Sequence, residues 1–510
     1  MPSSKVCLTF VASVALGACQ PSAMAPTTKP PALAPINVNS TVTTPTALKE
    51  IPPASNSGAT RPFPTIATAN LSNGLALDVI ERHSMPVVQL SLVVAAGHAR
   101  DANHPGAARV LAQLLEAGGA GPWTSEKLRE TVDALGSSLD IVSTRDNLRW
   151  SLAVTADKVP DALAILSALA QKPHFDRKEF LKLKGRELER VRSLAKTSGG
   201  WLAQYWLHRE LYRQPMGIHP YASVDVLPSE VERLGLDDCR EFYRAHIVPK
   251  NSRIMAVGAV DLTTLTREVE KAFGMWTSHD APDDGLAEPS STEELKVFVI
   301  DRPGSAQSDL LLGLLGPSRR EAEFPSIMAI QQILGGGVAG RLFLDIREKR
   351  SLAYSTYAGV QEVAAGPSVL TLSAGTQTQK TAEAASALLE HFDRIATDPG
   401  TLQELETAQN YIVRGMPARW ETVESLSSQL LLLRTQNQSE RYFDDLREQV
   451  TSLSTVVLHE PATRYFQRRH ATLVVAGDAS KIAESLRPLG PVEILDPERE
   501  FSIKHKLSAK

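Results

Sequence analysis

Two periodicities alternate along the chain from about residue 65. Alternating or β-branched apolar runs predict strands near 76–81, 87–95, 139–143 and 148–154. Helical spacing predicts helices near 106–117, 124–135, 158–171 and 176–195, the last setting Phe180, Leu183 and Leu188 among charges. Strand pairs followed by helices predict an α+β fold, a largely antiparallel sheet with helices stacked on one face. The pattern then repeats. Ile80-Glu81-Arg82 is answered by Ile300-Asp301-Arg302, Pro105 by Pro325 and Leu114 by Leu334, each 220 positions on. Near the domain ends, Arg253–Asp261 and Ala471–Asp478 are both apolar strands closed by Gly and Asp. A constant offset over so long a stretch predicts two homologous domains.

Composition sets the boundaries. Residues 20–62 are Pro, Ser, Thr, Ala and Asn with few large apolar side chains, and cannot bury enough surface to fold. Residues 278–291 (SHDAPDDGLAEPSS) are acidic and rich in Pro and Gly, the mark of a linker. The division is a signal peptide at 1–18, a tether at 19–62, a first domain at 63–277, a linker at 278–292 and a second domain at 293–500. At the start, Lys5 precedes the apolar run Val6–Leu16, too short for the ~20 residues a bilayer span needs. Leu16-Gly17-Ala18-Cys19 resembles a lipobox, which implies lipidation at Cys19. Gln20 after the cysteine implies a periplasmic protein anchored by lipid at the outer membrane. That anchor is the expected contact with membrane, since no later run is long and apolar enough to span one. A net charge of −4 gives no reason to expect nucleic acid as a partner. With Cys7 leaving with the signal and Cys19 acylated, Cys239 stands alone as a small buried hydrophobe.

Gly97–Gly121 (GHARDANHPGAARVLAQLLEAGGAG) resembles the segment of the insulinase/pitrilysin metallopeptidase family that carries His-x-x-Glu-His on its first long helix. Phe175-Asp176 with Glu179-Phe180, the His219-Pro220-Tyr221 loop and Leu334–Tyr354 (LGGGVAGRLFLDIREKRSLAY) extend the resemblance over about residues 65–490. In that family the two His face one way on the helix and bind zinc, and the Glu activates the metal-bound water. A carboxylate roughly 75 residues on completes the site. Counting from Gly106, the motif positions hold Arg109, Ala112 and Gln113, and the third-ligand position falls at Glu189 or Arg190. Both His ligands and the base are absent, and Arg109 puts a positive charge where the cation belongs. The motif occurs nowhere else; Ala387-Leu388-Leu389-Glu390-His391 lacks its first ligand. The remaining histidines, among them His83, His98, His104, His174, His208, His219 and His246, read as loop or surface residues. No nucleophile elbow supports serine hydrolase chemistry.

The resemblance implies a role without a metal of its own. Family peptidases enclose substrate between two half-units: one carries zinc, and the other supplies an Arg and a Tyr seven residues apart that grip the peptide backbone. Arg347 and Tyr354 stand at that spacing. The chain is therefore expected to be inactive alone, the substrate-gripping half of a heterodimer with a zinc-bearing family subunit, acting on peptides. A structural subunit, or a homodimeric peptide-binding clamp, remains the alternative. If Cys19 is the lipidation site, the wild-type chain takes up palmitate and partitions into detergent, whereas Cys19→Ser does neither; equal labelling of both rules lipidation there out.

Overall fold

Runs such as Ile254-Met255-Ala256-Val257 are apolar without alternation, and strands of that kind are buried on both faces. The computed structural model describes residues 62–510, apart from 102, 216, 217, 283, 284, 286 and 291. The signal peptide, Cys19 and the tether to residue 61 lie outside the described residues. The first domain runs β1 (Ala67–Asn70), β2 (Ala76–Glu81), β3 (Val87–Val94), α1 (Ala107–Ala117), α2 (Ser125–Ala134), β4 (Asp140–Ser143), β5 (Leu148–Thr155), α3 (Val159–Gln171), α4 (Arg177–Thr197), α5 (Gly199–Leu211), α6 (Pro228–Arg233), α7 (Leu236–His246), β6 (Ser252–Gly258) and α8 (Leu262–Phe273). The second runs β7 (Lys296–Asp301), β8 (Gln307–Gly316), α9 (Phe324–Gly335), a π-helical turn (Phe343–Lys349), β9 (Ala353–Gln361), β10 (Ser368–Gln377), α10 (Thr381–Thr397), α11 (Leu402–Gly415), α12 (Val423–Thr435), α13 (Tyr442–Ser452), α14 (Thr455–Tyr465), β11 (Thr472–Gly477), α15 (Ala479–Leu486), β12 (Val492–Asp496) and β13 (Ser502–Leu507).

Among the described residues these strands form two sheets, ordered β1-β2-β6-β3-β5-β4 and β13-β12-β7-β11-β8-β10-β9. Pairing is antiparallel except where β2 meets β6 and where β7 meets β11 and β12. The repeat survives in three dimensions: β2 and β7, β3 and β8, β6 and β11 each begin 220 positions apart. The strands and helices predicted for the first domain fall on β2 to β5 and α1 to α4 with ends shifted by two residues or fewer. Two features depart from the sequence reading. The second sheet passes the boundary set at 500, because β13 pairs with β12 from Ser502 to Leu507. Its residues Ser-Ile-Lys-His-Lys-Leu form a mostly exposed edge strand, and an edge kept polar offers no apolar run to read. Helix α5 also escaped prediction, although Ser198 caps it by accepting from the Trp201 amide.

Helix α5 belongs to the first domain by sequence and to the second by packing. One face of each sheet carries its own domain's helices: Leu77, Val79, Leu90 and Ile254 face α1 and α3, and Val297, Leu312 and Leu473 face α9 and α10. The other face is covered from across the domain boundary. Leu202, Tyr205 and Leu207 of α5 pack on Phe298, Ile300, Val474 and Ala476, while Leu426, Leu430 and Leu433 of α12 pack on Ile80, Val93, Met255 and Val257. A Cβ at Gly313 would lie 2.5 Å from Leu207 Cδ2, so α5 sits this close only above a glycine.

The two seams use different chemistry. Beneath α5, Trp201, Tyr205, Phe501 and Trp206 stack in series with ring centroids 5.1–5.5 Å apart. Beneath α12, Asp78 of β2 has no exposed surface and receives Arg434 through Nε at 3.0 Å and Nη2 at 2.8 Å, and Arg253 through Nη1 at 2.7 Å. Arg434→Met leaves that carboxylate with one partner and should lower unfolding free energy by about 3 kcal/mol in urea titrations. Adding Asp78→Leu should restore most of it, because the cost lies in the unpaired charge; an Arg434→Met protein as stable as wild type would refute the role.

Candidate functional site

Helix α1, which carries the motif positions, is set by its N-terminal turn. Gly106 adopts φ 93°, in the left-handed region, and the Asp101 carboxylate accepts from the amides of Gly106 at 3.0 Å and Ala108 at 3.2 Å. Burial raises the Asp101 carboxyl to about 8 against those bonds. From this start, Arg109 turns toward α4, Ala112 is buried and Gln113 is exposed.

Where the family's motif would converge, four charges meet instead. Arg190 of α4 gives a two-pronged contact to Glu187 at 2.9 and 2.7 Å and another to Asp225 at 2.9 and 2.6 Å. Arg109 approaches the same carboxylates, 3.5 Å from each, and Trp201 Nε1 of α5 donates to Asp225 at 2.9 Å. Glu187 and Asp225 are buried, so their charges stay favourable only because the two guanidinium groups face them. Burial would raise the Asp225 carboxyl, but the bonds from Arg190 and the charge of Arg109 outweigh it and hold it below its ordinary value. Of the two third-ligand positions left open by the sequence, Arg190 points into this box, and Glu189 points to solvent beside Arg192 at 3.0 Å.

This donor set does not fit zinc. Two guanidinium groups cannot coordinate a cation, and both buried carboxylates are already committed to them. Among the described residues no group of three His, Cys, Asp or Glu side chains converges as a metal site. In the second domain, the positions 220 beyond the motif hold Ala329, Gln332 and Ile333 on α9. Next to the box, His98 has both ring nitrogens buried without a protein partner, and burial followed by the charges of Arg109 and Arg145 lowers it to about 3.

The histidines correct the sequence reading in part. His208, His219, His246 and His391 are buried. His208 Nδ1 lies 2.9 Å from the Gln204 carbonyl; His219 accepts from the Tyr221 amide at Nδ1 and donates through Nε2 to the Ala287 carbonyl at 3.0 Å. Backbone partners satisfy both nitrogens of His219, whereas His208 Nε2 is buried without a partner among the described residues. Cys239 is also buried, and burial pushes its thiol up to about 12.

Arg347 and Tyr354 lie on the second domain. Arg347 is on the π-helical turn, 46% exposed, with its guanidinium 4.8 Å from the Phe343 ring centroid and its Nε 3.7 Å from Glu348. Tyr354 is 55% exposed at the start of the edge strand β9 and accepts a 2.8 Å bond from Gln377, leaving its own proton free to donate. Arg350 is engaged instead, in ion pairs with Asp345 at 2.9 Å and Glu390 at 2.7 Å. The glycine-rich stretch before the turn packs backbone on backbone, a Cβ at Gly340 meeting Gly335 Cα at 2.7 Å.

Glu187, Asp225 and Trp201 were not read as site residues from the sequence. Glu187 and Arg190 sit three apart on one helix face, which was a legible signal; Asp225 lies in a loop with no local mark.

Comparison with known proteins gives the following likenesses. A family model described as Insulinase (Peptidase family M16) matches residues 79–221, and one described as Peptidase M16 inactive domain matches residues 233–412. An uncharacterised zinc protease of Streptomyces coelicolor is 25% identical over 238 residues, which is 45% of this chain and 50% of that one. The match thus spans half the length of that relative. The crystal structure of a peptidase M16 inactive domain from Pseudomonas fluorescens superposes with a TM-score of 0.74 at 22% identity, covering 81% of this chain and 98% of that one. The first half of the periplasmic protease PqqL from Escherichia coli superposes with a TM-score of 0.67 at 16% identity, covering 84% of this chain and 95% of that one.

The charge box makes a pH-dependent prediction. A carboxyl held below its ordinary value adds stability above its unfolded pKa, and that contribution is lost as pH falls through the folded value. Arg190→Leu strands Glu187 and Asp225 with Arg109 alone and should cost about 3–5 kcal/mol at pH 7. The deficit should shrink toward pH 4, where the stranded Asp225 carboxyl takes up a proton. Denaturant titrations of both proteins across that range check it; a deficit independent of pH would contradict the electrostatic origin.

Proposed function

The chain belongs to the insulinase (M16) peptidase family, and on that premise we propose that it is a non-catalytic half-unit: a substrate-gripping subunit that works in the periplasm opposite a zinc-bearing family member. The observation that carries this reading is the contrast between its two sites. Where the family's metal chemistry belongs, Arg109, Arg190, Glu187 and Asp225 satisfy one another in a closed box. Arg347 and Tyr354 instead stand exposed, with donor capacity left over.

The division of labour follows from the side chains. A guanidinium offers fixed donors to peptide carbonyls, and a phenol can donate to a carbonyl or to an oxyanion developing on it. Neither activates water, so hydrolysis falls to the partner's metal-bound water. Peptide held between two half-units would be cut on one side and gripped on the other. Among the described residues no helix is long and apolar enough to cross a membrane, and the proposed anchor is the lipid at Cys19.

Two measurements check this. The pure chain should hold no stoichiometric zinc by elemental analysis and cleave no peptide; one tightly held zinc per chain would overturn it. With the zinc-bearing chain supplied, Arg347→Ala and Tyr354→Phe should each slow the pair by about a hundredfold, on the order of 3 kcal/mol, without loss of assembly. Arg350→Ala, at the end of the same turn, is the control and should matter less. Rates within about twofold for both test variants (under 1 kcal/mol) would favour a structural subunit instead.

A further inference from the structure

Where α12 lies against the first sheet, a cavity of about 310 Å³ takes its walls from both domains. Its lining holds more cations than carboxylates. Arg100, Arg145, Lys250 and Arg253 come from the first domain and Arg434 from the second, against one carboxylate in the lining, Asp146. Three further carboxylates serve the cations from behind: Asp78 between Arg253 and Arg434, Asp280 at 2.8 Å from Lys250 and Glu440 at 3.9 Å from Arg434. Asp146 accepts the Tyr221 hydroxyl at 2.7 Å, and burial raises its carboxyl despite that bond.

None of the three carboxylates behind the cations serves Arg145. Among the described residues it gives one bond, from Nη2 to Gln361 at 3.3 Å, and its Nη1 is buried without an acceptor. Arg145 lines the cavity with one bond to the protein, so its other N–H groups have donor capacity for an acceptor from outside the chain. We propose that this interdomain cavity binds a small multivalent oxyanion, held by Arg145 on one domain and Arg434 on the other, with Lys250 at the rim. Phosphate and a compact polycarboxylate share the chemistry: several oxygens that can take a guanidinium fork on one side and a second cation on the other. The volume is at the low end for ligand pockets, roughly 300–1,000 Å³, which suits such an ion rather than a nucleotide. Its position between the domains makes it a staple, since an anion that binds only the folded chain stabilises the packed pair.

The test uses the whole chain prepared in phosphate-free chloride buffer. Inorganic phosphate and citrate are titrated separately at matched ionic strength, with heat of binding and the thermal unfolding midpoint read in parallel. The expected result is saturable one-to-one binding of at least one of them, with a rise in midpoint that chloride does not give. Phosphate alone identifies a phosphate site, citrate alone a carboxylate site, and both a general oxyanion site. Arg145→Gln should weaken binding about tenfold or more, while Arg145→Lys, which keeps charge but loses the fork, should fall between it and wild type. Lys250→Gln, at an exposed position, should weaken binding severalfold and serves if Arg145→Gln does not fold. No saturable binding of either anion overturns the proposal, as does wild-type affinity in both Arg145 variants or, if Arg145→Gln does not fold, in Lys250→Gln.

Discussion

Each sheet of this protein needs a helix that the other domain supplies. Ile80, Val93, Met255 and Val257 on one sheet, and Phe298, Ile300 and Val474 on the other, would face water if α12 and α5 did not cross over. At roughly 25 cal/mol per Å² of apolar surface, two exposed sheet faces are a loss no marginally stable fold can carry. The sequence repeat therefore marks two domains by descent, but one body by thermodynamics. The seams resist in different ways. The stacked aromatics under α5 are tolerant of sliding, whereas the two-pronged Arg434–Asp78 contact fixes α12 in register and orientation.

The exchange also reaches the charge box. Trp201, which donates to Asp225, sits on α5, so the helix that closes the second sheet also holds one wall of the box in the first domain. Arg109 from α1 and Arg190 from α4 complete it. Three helices are thus cross-linked at the place where a metal would join two of them. Neutralised and half-hidden, the box ties these helices together, while exposed polar groups sit on the second domain at Arg347 and Tyr354.

Most of the framework was legible. The 220-position repeat and the change of period from strand to helix locate the sheets and the helices α1 to α4, because those elements bury side chains in regular patterns. Among the elements that were not, two show why. β13 is a charged edge strand, with Lys504 and Lys506 in ion pairs rather than in a core. α5 is apolar and aromatic around much of its surface because it is packed from several sides, so no clean stripe announces it. At the site, Arg109, Ala112 and Gln113 could be picked out from the sequence. The box around Arg109 could not, because Asp225 reaches it from a loop more than thirty residues beyond Arg190, and burial of a lone loop Asp has no sequence signature.

The charge box has a consequence for how such a chain can change over generations. Its four members balance, so each is conditional on the others. Reverting Arg190 to a carboxylate would crowd three acids against Arg109, and turning Arg109 into an imidazole would leave two buried acids on a single guanidinium. Each single step back toward a metal site runs downhill in stability before any zinc can repay it. The box works as a ratchet: once in place, it makes each single substitution toward a metal site costly.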